Sequence, residues 1–240
     1  MISFSHVYKT YRGNEGRENH ALRDVTLEVE KGEFVFMTGP SGAGKTTLFR
    51  LLSAFDRPSS GRTSVGGYDI ATITAKELPF FRRRIGVVFQ DFRLLRDRTT
   101  FDNVALPLEI LGERRANIER RVLECLASVG LDDKKDEYPD QMSGGEQQRM
   151  AIARALVHRP GLIIADEPTG NLDPAMSREV MRLFDRANAQ GTTIFIATHD
   201  HEMVRRAGKR VVEINRGQIR EQRPETSELS LEGTWPSMTT

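Results

Sequence analysis

Residues 39–46, GPSGAGKT, have the residue types and spacing of a loop that binds nucleotide phosphates. The glycines allow backbone N–H groups to turn toward phosphate oxygens, and the helix predicted to follow adds a partial positive charge at its N-terminus. Lys45 is expected to reach the β- and γ-phosphates, and the Thr46 hydroxyl is expected to ligate Mg²⁺. The predicted nucleotide-binding residues of this loop are Gly39, Ser41, Gly42, Ala43, Gly44, Lys45, Thr46 and Thr47.

A pair of acids follows an apolar run in LIIADEP, residues 162–168. A strand here would deliver Asp166 to its carboxyl end, where ligands of open α/β sheets bind. Asp166 suits the shell of a Mg²⁺ ion, through water, and Glu167 could orient or deprotonate an attacking water. Beside a phosphate-binding loop, the two acids predict nucleotide hydrolysis.

Gln90 and His199 each end an apolar run, IGVVF and TIFIAT respectively. His199 stands where a side chain could touch a γ-phosphate. A lone polar residue at a strand end is usually structural, so neither residue predicts a function by itself.

A second loop that could hold an anion lies at residues 142–149, MSGGEQQR. Ser143 and Glu146 form the capping box of a helix that continues through QQRMAIARALVHR, with Pro160 marking its end. A cap does not require Gly144 and Gly145, which leave N–H groups of the first turn open to an anion. We therefore predict a homodimer in which two copies face head to tail across ATP, each completing the other's site.

The strands and helices that must position these residues predict an α/β core. LRDVTLEVEKGEFVFMTG predicts two strands joined by a Lys-Gly turn, and RIGVVFQ, LIIAD and TIFIAT predict further strands. Their continuous apolarity favours a parallel sheet that is covered on both faces.

The chain divides into a main domain over residues 1–220 and a polar tail over 221–240, which contains Trp235 as an incidental surface residue. Residues 91–158 are charged and helical in pattern, which predicts a helical subdomain inserted into the sheet domain. The single cysteine, Cys125, is predicted to be a packing residue of that subdomain.

Composition agrees with a soluble globular protein of 240 residues, with 38% hydrophobic and 29% charged residues. The formal net charge of +1 gives no reason to expect a nucleic acid as partner. No apolar stretch approaches the length of about 18 residues that spans a bilayer, and the first residues lack the apolar region of a signal peptide. We expect a cytoplasmic protein whose membrane role, if any, comes through a partner.

Six motifs in this order resemble those of the ATP-binding-cassette (ABC) ATPases over about residues 1–220: GPSGAGKTT, Gln90, SGGEQQR, LIIADEP, NLD and THD. The resemblance implies a P-loop NTPase fold with a RecA-like sheet core, an N-terminal antiparallel β region and an inserted α-helical subdomain. It implies ATP and Mg²⁺ as ligands. The catalytic residues it implies are Lys45, Gln90, Glu167 and His199, and the metal ligands are Thr46, Gln90 and Asp166.

The same resemblance implies roles for the remaining motifs. Tyr11 would stack on adenine, with Tyr8 as the alternative, and residues 171–173 would meet the opposite subunit. Gln90 would act as a lever between the two lobes. The residues implied to act on the opposite subunit's ATP are Ser143, Gly145 and Glu146.

Residues 89–112, FQDFRLLRDRTTFDNVALPLEILG, resemble the cell-division branch of this family, in which the ATPase works with the membrane protein FtsX. This implies an ATPase peripheral on the cytoplasmic face of the membrane, whose ATP-driven closure pulls on an FtsX-like partner that activates cell-wall hydrolases outside. The partner is predicted to dock on residues 91–111.

The sequence also allows other classes of ABC ATPase. The lipoprotein-releasing and macrolide-exporter ATPases share this type of partner. Soluble ABC ATPases act in translation, usually with two cassettes in one chain, or in DNA repair, with a long coiled-coil insert. A scaffold that binds nucleotide without turnover is a further alternative, against which Glu167 argues.

Overall fold

The computed structural model describes residues 1–12, 17–170 and 172–222. The strands of these residues are β1 (Ile2–Arg12), β2 (Glu18–Val29), β3 (Phe34–Thr38), β4 (Ser60–Val65), β5 (Tyr68–Asp69), β6 (Ile85–Val88), β7 (Leu162–Asp166), β8 (Thr193–Ala197), β9 (Arg210–Asn215) and β10 (Gln218–Gln222). The helices are α1 (Lys45–Leu52), α2 (Leu78–Arg82), α3 (Thr100–Ile110), α4 (Arg115–Ser128), α5 (Gly144–Leu156), α6 (Pro174–Ala189) and α7 (His201–Ala207).

A six-stranded sheet in the order β10-β9-β3-β8-β7-β6 forms the centre of the fold. The strands from β9 to β6 pair in parallel, and β10 pairs with β9 antiparallel. Successive side chains of a strand point to opposite faces, so Phe34 and Phe36 join a core with α3–α7, whereas Val35 and Met37 join a core with α1 and the N-terminal strands. The predicted parallel sheet covered on both faces is confirmed.

A second, four-stranded antiparallel sheet has the order β2-β1-β4-β5. In β2, Val25, Leu27 and Val29 are buried and alternate with exposed residues, as the sequence pattern predicts. The turn at residues 30–33 takes the chain out of this sheet and into β3 of the six-stranded sheet. The two strands joined by the Lys-Gly turn therefore belong to different sheets.

All regular structure in the described stretch 91–158 is helical, comprising α3, α4, α5 and two short 3₁₀ turns. Val122 and Leu126 of α4 are fully buried. Helix α5 begins with the predicted capping box but ends at Leu156, before Pro160. It ends early because Arg159 has a φ of 51°, a left-handed conformation that does not continue a right-handed helix.

Cys125 packs inside this helical region, where its Sγ lies 3.4 Å from the Ala153 carbonyl oxygen. Burial raises the pKa of the thiol to about 12, so the group stays protonated at neutral pH. This agrees with a packing residue. Strand β10 extends to Gln222 and so includes the first two residues of the predicted tail, and Trp235 lies outside the described residues. None of the helices in the described part of the chain is both long and apolar enough to cross a membrane.

Candidate nucleotide-binding site

The carboxyl ends of β3, β6, β7 and β8 meet at one edge of the six-stranded sheet. Ala197 of β8 pairs with both Met37 and Asp166, so the loops that follow these strands emerge side by side. A cleft of about 1070 Å³ opens there. It brings together the predicted residues Tyr11, Gly39, Ser41, Gly42, Gly44, Lys45, Thr46, Thr47, Gln90, Asp166, Glu167 and His199.

The phosphate-binding loop packs so closely on its neighbours that two positions require glycine. Gly39 and Gly44 have φ values of 153° and 115°. A β-carbon would lie 2.1 Å from the Ile214 carbonyl oxygen at Gly39, and 2.8 Å from that of Ala21 at Gly44. Gly44 caps α1 without a side-chain hydrogen bond, so the first N–H groups of the helix have no capping side chain. This cradle fits the phosphates of a nucleotide.

Lys45 lies over the loop that precedes it. Its Nζ donates to the carbonyl oxygens of Gly39 at 2.6 Å and Pro40 at 3.1 Å. The side chain of Ala43 is buried beneath the loop and does not line the cleft, because it belongs to the core under α1. Ala43 can therefore contribute only backbone atoms to a ligand.

Asp166 ends β7 beside Lys45. Burial raises the pKa of its carboxyl to about 6, the negative charge of Glu167 adds to the rise, and Lys45 opposes it. The carboxylate is thus short of positive charge, which suits a ligand of a divalent cation.

Glu167 is buried and both of its carboxylate oxygens are held. Oε1 lies 2.7 Å from Nδ1 of His199, and Oε2 accepts a hydrogen bond of 3.0 Å from the Thr198 hydroxyl. Its backbone has a φ of 48°, which costs on the order of 1–3 kcal/mol for a residue other than glycine. Strain of this kind persists where surrounding structure fixes a functional side chain.

Thr198 is a site residue that the sequence analysis missed. It is fully buried, and its Oγ1 accepts from the Asp200 N–H at 3.1 Å. The single hydroxyl proton is therefore directed to Glu167. The available signal was its position at the end of the β8 run, directly before His199.

Gln90 lies between two clefts. It lines the nucleotide cleft and also a cleft of about 680 Å³ whose walls include Phe49, Phe55, Phe89 and Arg93. Asp166 and Thr46 line both clefts as well. The two clefts therefore share part of their walls.

Tyr11 lines the nucleotide cleft, whereas Tyr8 is 41% exposed and lies outside its lining. The cleft also contains polar residues that no motif indicated. They include Asn19, His20 and Arg23 of β2, and Arg216 of the turn between β9 and β10. They are brought to the cleft by packing between the two sheets.

Ser143, Gly145 and Glu146 do not line this cleft. Ser143 accepts from the Glu146 N–H, and the Glu146 carboxylate accepts from the Ser143 N–H at 2.8 Å. A β-carbon on Gly144 would meet nothing within 4 Å, and one on Gly145 would be at an ordinary 3.4 Å from Leu172. Nothing within the described chain requires glycine here, which agrees with close approach by something outside it.

Known proteins define the class. A family profile described as "ABC transporter" matches residues 22–170. Solved structures of the MJ0796 ABC transporter cassette have the same fold. Its dimeric structure has a TM-score of 0.87 and 37% identity, covering 94% of this chain and 99% of that chain. Its post-hydrolysis dimer bound to ADP and Pi has a TM-score of 0.86 and 35% identity, with the same coverage. The chain belongs to the ABC transporter family and is an ATPase of that type.

Curated relatives narrow the class. The cell division ATP-binding protein FtsE of Mycobacterium tuberculosis is 49% identical over 219 residues, which cover 91% of this chain and 94% of the relative. FtsE of Escherichia coli is 48% identical, covering 91% and 97%. FtsE of Bacillus subtilis is 48% identical, covering 91% and 94%. The chain is an FtsE-like ABC ATPase.

The raised pKa of Asp166 predicts that Asp166→Asn stabilises the protein in the absence of Mg²⁺ and nucleotide. Because the folded-state pKa of about 6 exceeds the unfolded value of about 3.9, ionisation destabilises the fold. The penalty is fully present above pH 6 and is lost as the pH falls toward 4. Since the carboxyl is partly exposed, we expect the melting temperature to rise by only a few degrees at pH 7.5 and by less at pH 5. Thermal unfolding at both values checks this, and a lower melting temperature at pH 7.5 would contradict it.

Proposed function

We propose that this chain is the ATP-hydrolysing subunit of a cell-division assembly. It dimerises on ATP and drives an FtsX-like integral membrane protein whose outer part activates cell-wall hydrolases. The observation that carries the proposal is the identity of 48–49% to curated FtsE proteins over 91% of the chain. The protein would lie on the cytoplasmic face of the membrane, held there by its partner.

Different residues of the cleft bind the phosphates and the Mg²⁺ ion of MgATP. The N–H groups of the phosphate-binding loop and the Lys45 ammonium bind the phosphates. Thr46, Gln90 and Asp166 would hold Mg²⁺, which supplies the positive charge that neutralises the phosphate oxygens. The carboxylate of Asp166, whose pKa is raised by burial and by Glu167, fits that position.

Glu167 is the base that orients and deprotonates the attacking water. Its carboxylate is held between Thr198 and His199, so its direction in the cleft is set before a nucleotide arrives. The His199 side chain is 74% exposed in the cleft and can contact the γ-phosphate while it holds Glu167.

Glu167→Gln should lower ATP turnover by about 10²–10⁴-fold while ATP binding is retained, because the base is lost and the phosphate-binding loop is untouched. Lys45→Ala is the contrasting variant, since it removes a charge-assisted phosphate contact and should weaken binding itself. Phosphate release and nucleotide titration measure the two effects. An unchanged turnover in Glu167→Gln would exclude the role of the base.

The loop at Ser143 serves the nucleotide of a second copy. Its glycines are open, it lies outside its own chain's nucleotide cleft, and the similar cassette MJ0796 forms a dimer. Two chains facing head to tail would place each Ser143 loop against the partner's ATP. Residues 172–173 belong to the adjoining loop, and Asp173 caps α6 there.

ATP should convert Glu167→Gln from monomers to dimers, and ADP should not. Adding Ser143→Arg should prevent the dimer by filling the second phosphate site, while the affinity of the monomer for ATP stays within about twofold of its starting value. Ser128→Arg, which alters an exposed serine on α4, is the matched control and should leave the dimer intact. Light scattering and nucleotide titration test both halves. Loss of monomer binding in Ser143→Arg would mean that the loop serves its own chain.

Residues 91–111 offer the docking surface for the membrane partner. On α3, Val104, Ala105 and Leu108 fill the core, whereas Ile110 is 52% exposed. Leu111 beside it is 40% exposed. Ile110 borders a groove of about 210 Å³ between α3 and β6, whose surface is mainly apolar and whose lining also includes arginines. Apolar side chains of a short cytoplasmic helix could enter such a groove. Gln90, which lines the nucleotide cleft, directly precedes the segment in the chain.

Ile110→Glu should abolish co-purification of the membrane partner from gently solubilised cells, because a charge in the groove opposes burial of an apolar helix face. Leu123→Glu, at a residue of α4 that is 38% exposed, should retain the partner. Leu95 and Phe101 are half-buried, so a charge there also tests packing of the helical region. Retention of the partner by Ile110→Glu would exclude this surface.

Sequencing the retained membrane protein also distinguishes the related classes. An FtsX-like partner supports the proposal. A lipoprotein-releasing or macrolide-exporter permease would assign the ATPase to those systems, and a ribosome or DNA complex would overturn the class.

A further inference from the structure

Lys9 and Asp56 form an ion pair that no motif includes. Their Nζ and Oδ1 atoms are 2.6 Å apart, and the side chains are only 12% and 19% exposed. Desolvation offsets much of the attraction in such a pair, so burial of a charge pair by itself is a weak way to stabilise a fold. Both partners contact Tyr11, which lines the nucleotide cleft.

Asp56 and Lys9 hold the Tyr11 ring. Its hydroxyl donates to Oδ2 of Asp56 at 2.9 Å. The Lys9 ammonium lies 4.8 Å from the ring centroid, over one face of the ring. Lys9 is held in turn by Asp56 Oδ1 and by the Arg57 carbonyl oxygen at 2.8 Å. The ring is therefore held at its hydroxyl end and covered on one face.

Asp56 is anchored to the helix that carries the phosphate-binding loop. Its backbone N–H donates to the Arg50 carbonyl oxygen in the last turn of α1 at 3.2 Å. Helix α1 begins directly after that loop, at Lys45. A continuous set of hydrogen bonds thus connects the Tyr11 hydroxyl to the element that would hold the phosphates.

The protonation states agree with this arrangement. Burial, followed by the hydrogen bond to Asp56, raises the pKa of Tyr11, so the hydroxyl keeps its proton. Burial also tends to raise the pKa of Asp56, but hydrogen bonds from Lys9, Arg57 and Tyr11 outweigh it and lower that pKa. At neutral pH, Tyr11 is the donor and Asp56 the charged acceptor.

We propose that Asp56, together with Lys9, is a positioning residue for the nucleotide base: it holds the uncovered face of Tyr11 at a set distance from the phosphate-binding loop, ready to stack on the purine of ATP. This inference rests on the adenine-stacking role of Tyr11. A ring already held in place loses less conformational freedom when the base binds, which favours binding.

The test compares two ligands, ATP and inorganic tripolyphosphate, which lacks the base. In Asp56→Ala the Kd for ATP should rise about 5- to 10-fold, a part of the stacking contribution of a base on an aromatic ring. The Kd for tripolyphosphate should be unchanged, and the kinetic effect should appear in KM rather than kcat. Asp56→Asn, which keeps one acceptor for the hydroxyl, should be intermediate. Equal weakening for both ligands would show a general structural role and overturn the proposal.

A double-mutant cycle tests whether Asp56 acts through the hydroxyl. Tyr11→Phe keeps the ring and should weaken ATP binding as Asp56→Ala does, and the double variant should be no weaker than either. Additive effects would overturn the proposal. If Asp56→Ala does not fold, Tyr11→Phe decides alone, and an unchanged Kd for ATP would overturn it.

Tyr11→Ala separates this inference from the role on which it rests. Unchanged ATP affinity in Tyr11→Ala would remove the stacking role itself. Weakened ATP binding in Tyr11→Ala, with ATP binding unaffected in Asp56→Ala, would remove only the positioning role of Asp56.

Discussion

Parallel hydrogen bonding among β3, β8 and β7 is the constraint on which the site depends. It pairs Ala197 with both Met37 and Asp166, and it continues one residue past the strands, where the Thr198 N–H donates to Met37 and the Glu167 N–H to Ala197. The phosphate-binding loop, the two acids and the Thr198–His199 pair therefore leave the sheet at one edge. A slip of one residue would turn every side chain of a strand to the opposite face and separate these groups.

This convergence concentrates negative charge and backbone strain in a small space. Asp166 and Glu167 are adjacent, Asp91 adds to the rise in the pKa of Asp166, and Glu167 has a left-handed backbone. Apolar cores on both faces of the sheet hold these groups in place against their mutual repulsion. Under the proposed function, Mg²⁺ and the Lys45 ammonium compensate the negative charge. The electrostatic repulsion within the site is therefore lowest when MgATP is bound.

Two connections extend from the cleft into the rest of the molecule. Gln90 lines both this cleft and the second cleft, and the segment on which the proposal docks the membrane partner follows Gln90 directly in the chain. On the other side, the Tyr11–Asp56 contact joins the rim of the antiparallel sheet to α1. The Ser143 loop lies outside the cleft, and under the proposed function its open glycines face a partner's nucleotide. Under the proposed function, nucleotide binding, dimer formation and partner contact all depend on the arrangement of residues around this cleft.

The sequence by itself determined the features that are written in short patterns. The phosphate-binding loop, the strands with continuous apolar runs, the helical stretch 91–158 and the capping box at Ser143 all depend on residues close together in the chain, so local spacing is enough to predict them. Tertiary structure alone decided that β2 and β3 belong to different sheets. It also decided that Tyr11 rather than Tyr8 lines the cleft, that Thr198 holds Glu167, and that Lys9 and Asp56 hold Tyr11. These contacts join residues some 30 to 50 positions apart, and only packing of the two sheets and α1 brings such residues within hydrogen-bonding distance.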